Sequence, residues 1–177
     1  GTVSFALGEN ALATGNRAIV LGHNSQATGD YSTAFGNGTR AIGNYSLTTG
    51  LTNQARGNYA SAFGLNNRAS APAVFAVGMY NDSTTVSATS INDNNPLFMV
   101  GNGSSDAARN NALTVYKSGV ILAKNDLTVA SSPATFALPL PYSGTRMMWI
   151  PEKSAFRVGT EPLATGWVPG HIGTWSF

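Results

Sequence analysis

The sequence contains no cysteine and little charge. Of its 177 residues, ten are Lys or Arg, eight are Asp or Glu and two are His, which gives a formal net charge of +2. The lack of cysteine excludes a disulfide framework and a thiolate nucleophile. The small net charge gives no indication of a nucleic-acid partner. No apolar run approaches the roughly 20 residues of a membrane-spanning helix, so we expect membrane attachment only through parts absent from this chain.

Groups suited to catalysis are also scarce. His23 and His171 are the only histidines, and neither lies near an acid and a serine in a spacing that predicts a catalytic triad. Glu152 and Glu161 lack a spacing that would fix the separation of two catalytic carboxylates. The aspartates are too scattered for a calcium motif. We therefore expect no enzymatic activity, no metal and no cofactor.

The first half of the chain is instead a repeat with a period of seven residues. The repeated positions, here called stations, are Gly8, Gly15, Gly22, Gly29, Gly36, Gly43, Gly50, Gly57, Gly64, Ala71 and Gly78. Two residues before the eleven stations, nine positions hold alanine. A coiled-coil heptad is disfavoured, because each glycine costs a helix roughly 1 kcal/mol and the core would be Ala and Ser. Small residues at a spacing of two predict strands that share one inward face.

The outward residues show that the structural unit has fourteen residues. Around alternate stations they include large apolar side chains: Phe5, Leu7, Ile19, Leu21, Phe35, Leu47, Phe63, Phe75 and Val77. Around the other stations they are mostly polar and include Arg40, Gln54, Arg56 and Arg68. The pattern predicts a two-sheet roll, with two strands per coil and coils stacked at about 4.8 Å. We expect the apolar side to be buried between identical subunits around an axis parallel to the stack, and the polar side to face a partner.

Several short runs resemble the YadA-like head repeats of trimeric autotransporter adhesins. They are Ser4–Gly8, Ser32–Gly36 and Ala60–Gly64, joined through Ala27–Gly29 and Ala41–Gly43. The resemblance covers residues 1 to about 80 and implies a left-handed parallel β-roll in a homotrimer. It also implies an adhesive segment at the bacterial cell surface or outer membrane, with a host glycan or an extracellular matrix protein as partner. The alternative is a tail-fibre segment of a phage or contractile injection system that recognises host surface glycans.

The remaining sequence divides into shorter segments. We expect the roll to cover 1–80, and Ala71 and the proline after it indicate that it is ending there. A capping loop is expected over 81–96. A short-strand β connector follows over 97–132, resembling connector segments of bacterial and phage-like fibres, and a Trp- and Pro-rich adaptor covers 133–172. Residues 173–177 repeat the first five residues with one substitution, which predicts the start of a next head repeat in a longer fibre.

Overall fold

The computed structural model describes residues 1–83, 88–123, 144–150 and 155–161. Every regular element in these ranges is a β-strand, and none of the described residues is helical. The chain divides into two compact units, Gly1–Asp126 and Leu127–Phe177. Each unit is described by itself below.

The first unit begins with alternating short and long strands. They are β1 (Phe5–Leu7), β2 (Leu12–Ala13), β3 (Ile19–His23), β4 (Gln26–Ala27), β5 (Thr33–Asn37), β6 (Arg40–Ala41), β7 (Leu47–Leu51), β8 (Gln54–Ala55), β9 (Ser61–Leu65), β10 (Arg68–Ala69) and β11 (Phe75–Met79). Odd-numbered strands pair in parallel with one another, and even-numbered strands do the same, each with an offset of fourteen residues. The predicted coil of fourteen residues with two strands is therefore confirmed.

A thin core of small side chains separates the two sheets. One column of alanines is contributed by the short strands, with Ala27, Ala41, Ala55 and Ala69 in register and fully buried. The long strands contribute a facing column that includes Val20 and buried alanines. Small side chains allow the two sheets to approach closely, which explains why alanine recurs two residues before nearly every station.

The chain turns at residues with left-handed backbone conformation, and these lie two positions after the stations. The series runs Val3, Asn10, Arg17, Asn24, Tyr31, Gly38, Tyr45, Thr52, Tyr59, Asn66, Ala73 and Tyr80, with φ between 44° and 64°. Only alternate stations, Gly8 through Gly78 at intervals of fourteen, have positive φ, between 101° and 147°.

The other stations hold glycine because neighbouring coils approach closely. At Gly43, for example, an added Cβ would overlap the carbonyl oxygen of Gly57 in the next coil. Ala71 occupies the same kind of station in the last coil, where no further short strand follows β10. The departure from glycine at Ala71 thus coincides with the end of the five-stranded sheet.

The long sheet continues beyond the repeat. β12 (Pro96–Asn102) pairs in parallel with β11, and β13 (Asn111–Tyr116) and β14 (Ile121–Ala123) follow in antiparallel order. The described strands of the connector expected over 97–132 belong to the same sheet as the long strands of the roll. Together they form a nine-stranded sheet with the order β1-β3-β5-β7-β9-β11-β12-β13-β14. The reason is that Phe98, Val100 and Gly101 take the register positions that follow Phe75, Val77 and Gly78.

The segment between β11 and β12 covers part of the open end of the roll. In each earlier coil, the backbone N–H of a residue that follows a station donates to a side-chain oxygen fourteen residues later. The Asn44 N–H, for example, donates to Asn58 Oδ1 at 3.0 Å. Residue 72 is proline and offers no such oxygen, and the Asn58 N–H instead donates to the Ala88 carbonyl at 3.1 Å. Ala88 lies within residues 81–96, whose capping role stays a prediction.

The second unit contains an antiparallel pair of strands, β15 (Gly144–Ile150) and β16 (Ala155–Glu161). Their register runs without interruption from the Gly144–Glu161 pair to the Ile150–Ala155 pair. Both strands lie within residues 133–172, for which the sequence predicts an adaptor. The other residues of this adaptor and the predicted repeat start at 173–177 lie outside the described residues.

Candidate functional site

The outward side of the long strands forms a continuous apolar face with two columns. One column is in register from Phe5 to Phe75, and the other from Leu7 to Val77. All nine predicted interface residues lie in these columns, and Phe98 and Val100 extend them by one strand. Phe63 and Phe75 lie with ring centroids 5.1 Å apart, and Phe75 and Phe98 are 5.8 Å apart.

Much of this apolar face is open to solvent in the single chain. Leu7 is 62% exposed and Phe5 is 54% exposed, and Ile19, Phe35 and Phe75 are also exposed. Within coils, a large side chain lies beside a small one, as with Phe35 beside Thr33 and Phe63 beside Ser61. The apolar face is therefore a ridged surface of the kind that packs against a partner of matching shape.

The opposite sheet carries the predicted polar residues, here called the arginine stripe: Arg40, Gln54, Arg56 and Arg68. Arg40, Gln54 and Arg68 are direct register neighbours on β6, β8 and β10, and Arg56 follows β8 immediately. The structure thus brings the four residues together on the side of the roll opposite the apolar face. No acidic residue belongs to β2, β4, β6, β8 or β10.

Neutral groups hold two of these guanidinium groups in place. Arg40 Nη2 donates to Gln26 Oε1 at 3.2 Å. Arg56 donates to Gln54 Oε1 from Nε at 3.2 Å and from Nη2 at 2.9 Å. Among the described residues neither arginine forms an ion pair, whereas Arg68 pairs with Asp106 at 3.2 Å. Arg40 and Arg56 therefore keep an uncompensated positive charge in a fixed position.

The loop between β12 and β13 is fastened to the roll by one largely buried arginine. Arg109 donates to the carbonyl oxygens of Asn66 at 2.7 Å and Asn81 at 3.1 Å, and it also pairs with Asp106. The hydrogen bond from Arg109 lowers the pKa of Asp106 below its ordinary value, and Arg68 lowers the pKa of the same carboxyl further. This cluster is structural, because its hydrogen bonds and ion pairs fasten the loop to the end of the roll.

One corner of the roll carries a ladder of tyrosines that the sequence analysis missed. Tyr31 and Tyr45 stack with ring centroids 4.9 Å apart, and Tyr45 and Tyr59 stack at 5.2 Å. Arg17 covers the far side of Tyr31 at 5.2 Å from the ring centroid and donates to the Tyr31 hydroxyl. The signal was present in the sequence as tyrosine at intervals of fourteen residues, two positions after a station.

The histidines and acidic residues of the described chain are scattered. Across the described ranges, no three His, Asp or Glu side chains gather into a group that could hold a metal ion. His23 lies on a corner, where its ring contacts Glu9 at 3.6 Å and two asparagines, and Ser25 bonds only to its backbone carbonyl. His171 lies outside the described residues. The part of the chain that the structure describes contains no helix that could span a membrane.

Stacked parallel coils of fourteen residues, with two strands in each, define the chain's first unit as a β-roll of the solenoid class. Two copies of the YadA head domain repeat match the sequence, at residues 1–25 and 13–39. The N-terminal part of the chain is therefore a YadA-like head repeat region, as the resemblance predicted, and this roll is a structural adhesin fold. Searches of curated proteins and of solved structures gave no match.

Proposed function

We propose that this chain is a structural and adhesive segment of a homotrimeric bacterial surface fibre. Three copies bury their apolar faces against one another around an axis parallel to the stack of coils, and the arginine stripe of each copy faces outward. The observation that supports this most is that every long strand from β1 to β12 carries at least one large apolar side chain on the same face. The YadA-like repeats support the same assembly, because heads of this family are trimeric and exposed at the cell surface.

The energetics favour an obligate assembly. Burying on the order of 500 Å² of apolar surface per subunit at about 25 cal/mol/Å² contributes more than 10 kcal/mol before the costs of association. A rotation axis parallel to the stack brings coils of equal height together, so that the large side chains of each coil meet at every level. We assign no catalytic step to this segment, because its surfaces offer packing and charge without an activated nucleophile or base.

The assembly is tested by light scattering of the whole chain. We expect a trimer at micromolar protein, and we expect Phe35→Asp to prevent its formation, because a carboxylate would lie in the centre of the apolar face. Gln54→Asp is the matched control, since it adds the same charge on the opposite sheet and should leave the trimer intact. A folded, soluble monomer of the unmodified chain would overturn the proposal.

Adhesion is tested separately with the assembled trimer. Immobilised trimer is exposed to host cells and to extracellular matrix proteins, and retention is compared with that of the Arg40→Gln, Arg68→Gln double variant. Loss of charge on the arginine stripe is expected to reduce retention, and to reduce its dependence on salt, while the trimer persists. Equal retention by the two proteins would exclude the arginine stripe as the adhesive surface.

A further inference from the structure

The tyrosine ladder has one covered end and one open end. Tyr31 is covered by Arg17 on one side and by Tyr45 on the other, whereas the position after Tyr59 in the same series is Ala73. The exposed fraction rises along the ladder, from 43% at Tyr31 to 51% at Tyr45 and 62% at Tyr59. Among the described residues, the face of the Tyr59 ring toward the next coil has no stacked aromatic neighbour, whereas the corresponding faces of Tyr31 and Tyr45 do.

The backbone at this corner is unfavourable for tyrosine. Tyr31, Tyr45 and Tyr59 have φ of 56°, 58° and 61°, in the left-handed region that favours glycine and asparagine. The opposite corner uses Asn10, Asn24, Gly38, Thr52, Asn66 and Tyr80 at the equivalent positions. Every coil has this conformation at its corners, so the turn itself does not require tyrosine.

The step from large to small side chains above Tyr59 and Arg56 is here called the notch. Arg56 lies at the same corner, three residues before Tyr59, and is exposed. In the next coil the positions that follow these two residues hold Ser70 and Ala73, which are small. The Tyr45 and Tyr59 ring centroids are 5.2 Å apart, and a ligand ring in the notch would lie at a similar distance from Tyr59.

The two large side chains at the notch define the chemistry of a ligand. An exposed aromatic face accepts a flat apolar surface, such as the C–H face of a pyranose ring. Arg56 has neutral hydrogen-bond partners and no ion pair among the described residues, so its guanidinium retains donors for a carboxylate or sulfate. The positive charge of Arg56 also repels a cationic ligand. A guanidinium, like the one that covers the other end of the ladder, is therefore a disfavoured ligand for the notch.

We propose that the notch formed by Tyr59, Arg56, Ser70 and Ala73 binds a pyranose that carries a carboxylate or a sulfate. The sugar ring stacks on the open face of Tyr59, and its anionic group pairs with Arg56. This inference deepens the proposed function by naming the ligand class of the outward surface, and it rests on that function for its role in adhesion. The notch itself is built within one chain.

The experiment uses the purified whole chain and three soluble probes with a common core. These are 3′-sialyllactose, lactose 3′-sulfate and lactose, and saturation-transfer NMR titrations give the dissociation constants. We expect binding of at least one acidic probe and roughly tenfold weaker binding of lactose, since one charge-assisted hydrogen bond is lost. The carboxylate and sulfate probes identify which acidic group the notch prefers.

Three variants separate stacking from charge. Ala73→Tyr extends the ladder over the open face of Tyr59, and we expect it to weaken binding of the acidic probe about tenfold or more while Arg56 is unchanged. Arg56→Gln should reduce the affinity for the acidic probe to that for lactose. Tyr31→Leu is the matched control, because Tyr31 has the same backbone conformation but no open face, and it should bind as the unmodified chain does.

Two results would overturn the inference. One is that neither acidic probe binds, even if the chain binds an acidic protein. The other is binding that neither Ala73→Tyr nor Arg56→Gln weakens. Light scattering on the same samples keeps the two proposals apart: a monomer that binds the acidic probe contradicts the trimer alone, and a trimer that binds neither contradicts the notch alone.

Discussion

Glycine at alternate stations should be required only where another coil follows. Gly43 takes a backbone conformation open to other residues, so Gly43→Ala tests close approach without left-handed strain. The added Cβ would overlap the Gly57 carbonyl and lie 2.9 Å from the Arg56 carbonyl oxygen. Both obstacles are backbone atoms and cannot rotate away. Relief requires the coils to separate, which strains the hydrogen bonds to Ala55 from Ile42 at 2.8 Å and from Gly43 at 3.1 Å.

The expected cost of Gly43→Ala is about 3 kcal/mol in the free energy of unfolding, at the upper end for an inserted methyl group. Ala71→Gly is the matched comparison, because Ala71 occupies the same kind of station with no short strand above it. It loses one buried methyl group and gains chain freedom in the unfolded state, at a cost of about 1 kcal/mol.

Urea unfolding followed by far-ultraviolet circular dichroism measures both changes, at one fixed protomer concentration because the assembly contributes to stability. Light scattering before each titration shows whether the assembly has changed. The reasoning is refuted if Gly43→Ala unfolds within 1 kcal/mol of the unmodified chain, or if Ala71→Gly costs as much as Gly43→Ala.

Two further changes test the core and the loop between β12 and β13. Thr48 is fully buried, its hydroxyl has no hydrogen-bond partner, and Val20 occupies the same column, so Thr48→Val should raise the free energy of unfolding by about 1 kcal/mol; a loss of stability in urea would contradict this. The pKa of Asp106 is lowered in the folded state, mainly by Arg109, so its stabilisation is present above the unfolded pKa of about 3.9 and is lost as pH falls through the folded value. Asp106→Asn should therefore reduce the loss of thermal stability between neutral and acidic pH, and an unchanged pH profile would show that this carboxyl contributes nothing.

The coil was predictable because strand geometry leaves a direct mark on sequence. Inward and outward positions alternate along each strand, and the fixed offset of fourteen residues repeats every environment. β12 was not assigned to the roll, because 23 residues separate Gly78 from Gly101 and counting by sevens stops there. The order Phe98, Met, Val100, Gly101 nevertheless repeats the pattern around Phe75 to Gly78, and comparison by pattern would have found it.

The arginine stripe and the notch show two degrees of predictability. The stripe follows from strand alternation, so its members could be named before their contacts were known. The tyrosine ladder lies on turn residues, which have no strand pattern, and its meaning depends on ring stacking that only coordinates give. The contacts of Arg109 join segments 43 residues apart, and no local pattern predicts such contacts.

The repeat separates the positions that maintain the fold from those that can acquire a ligand. A core column must hold small residues at every level, because each coil rests on the next, and a large side chain at one level would displace both sheets. A corner side chain projects from the stack, and a change there alters one level of the surface alone. The step from Tyr59 to Ala73 is such a change: it leaves the coil geometry intact, with φ of 61° and 56°, and it exposes an aromatic face. New binding specificity in a roll of this kind can therefore arise by a single substitution at a corner, whereas the same substitution two positions before a station would disrupt the roll.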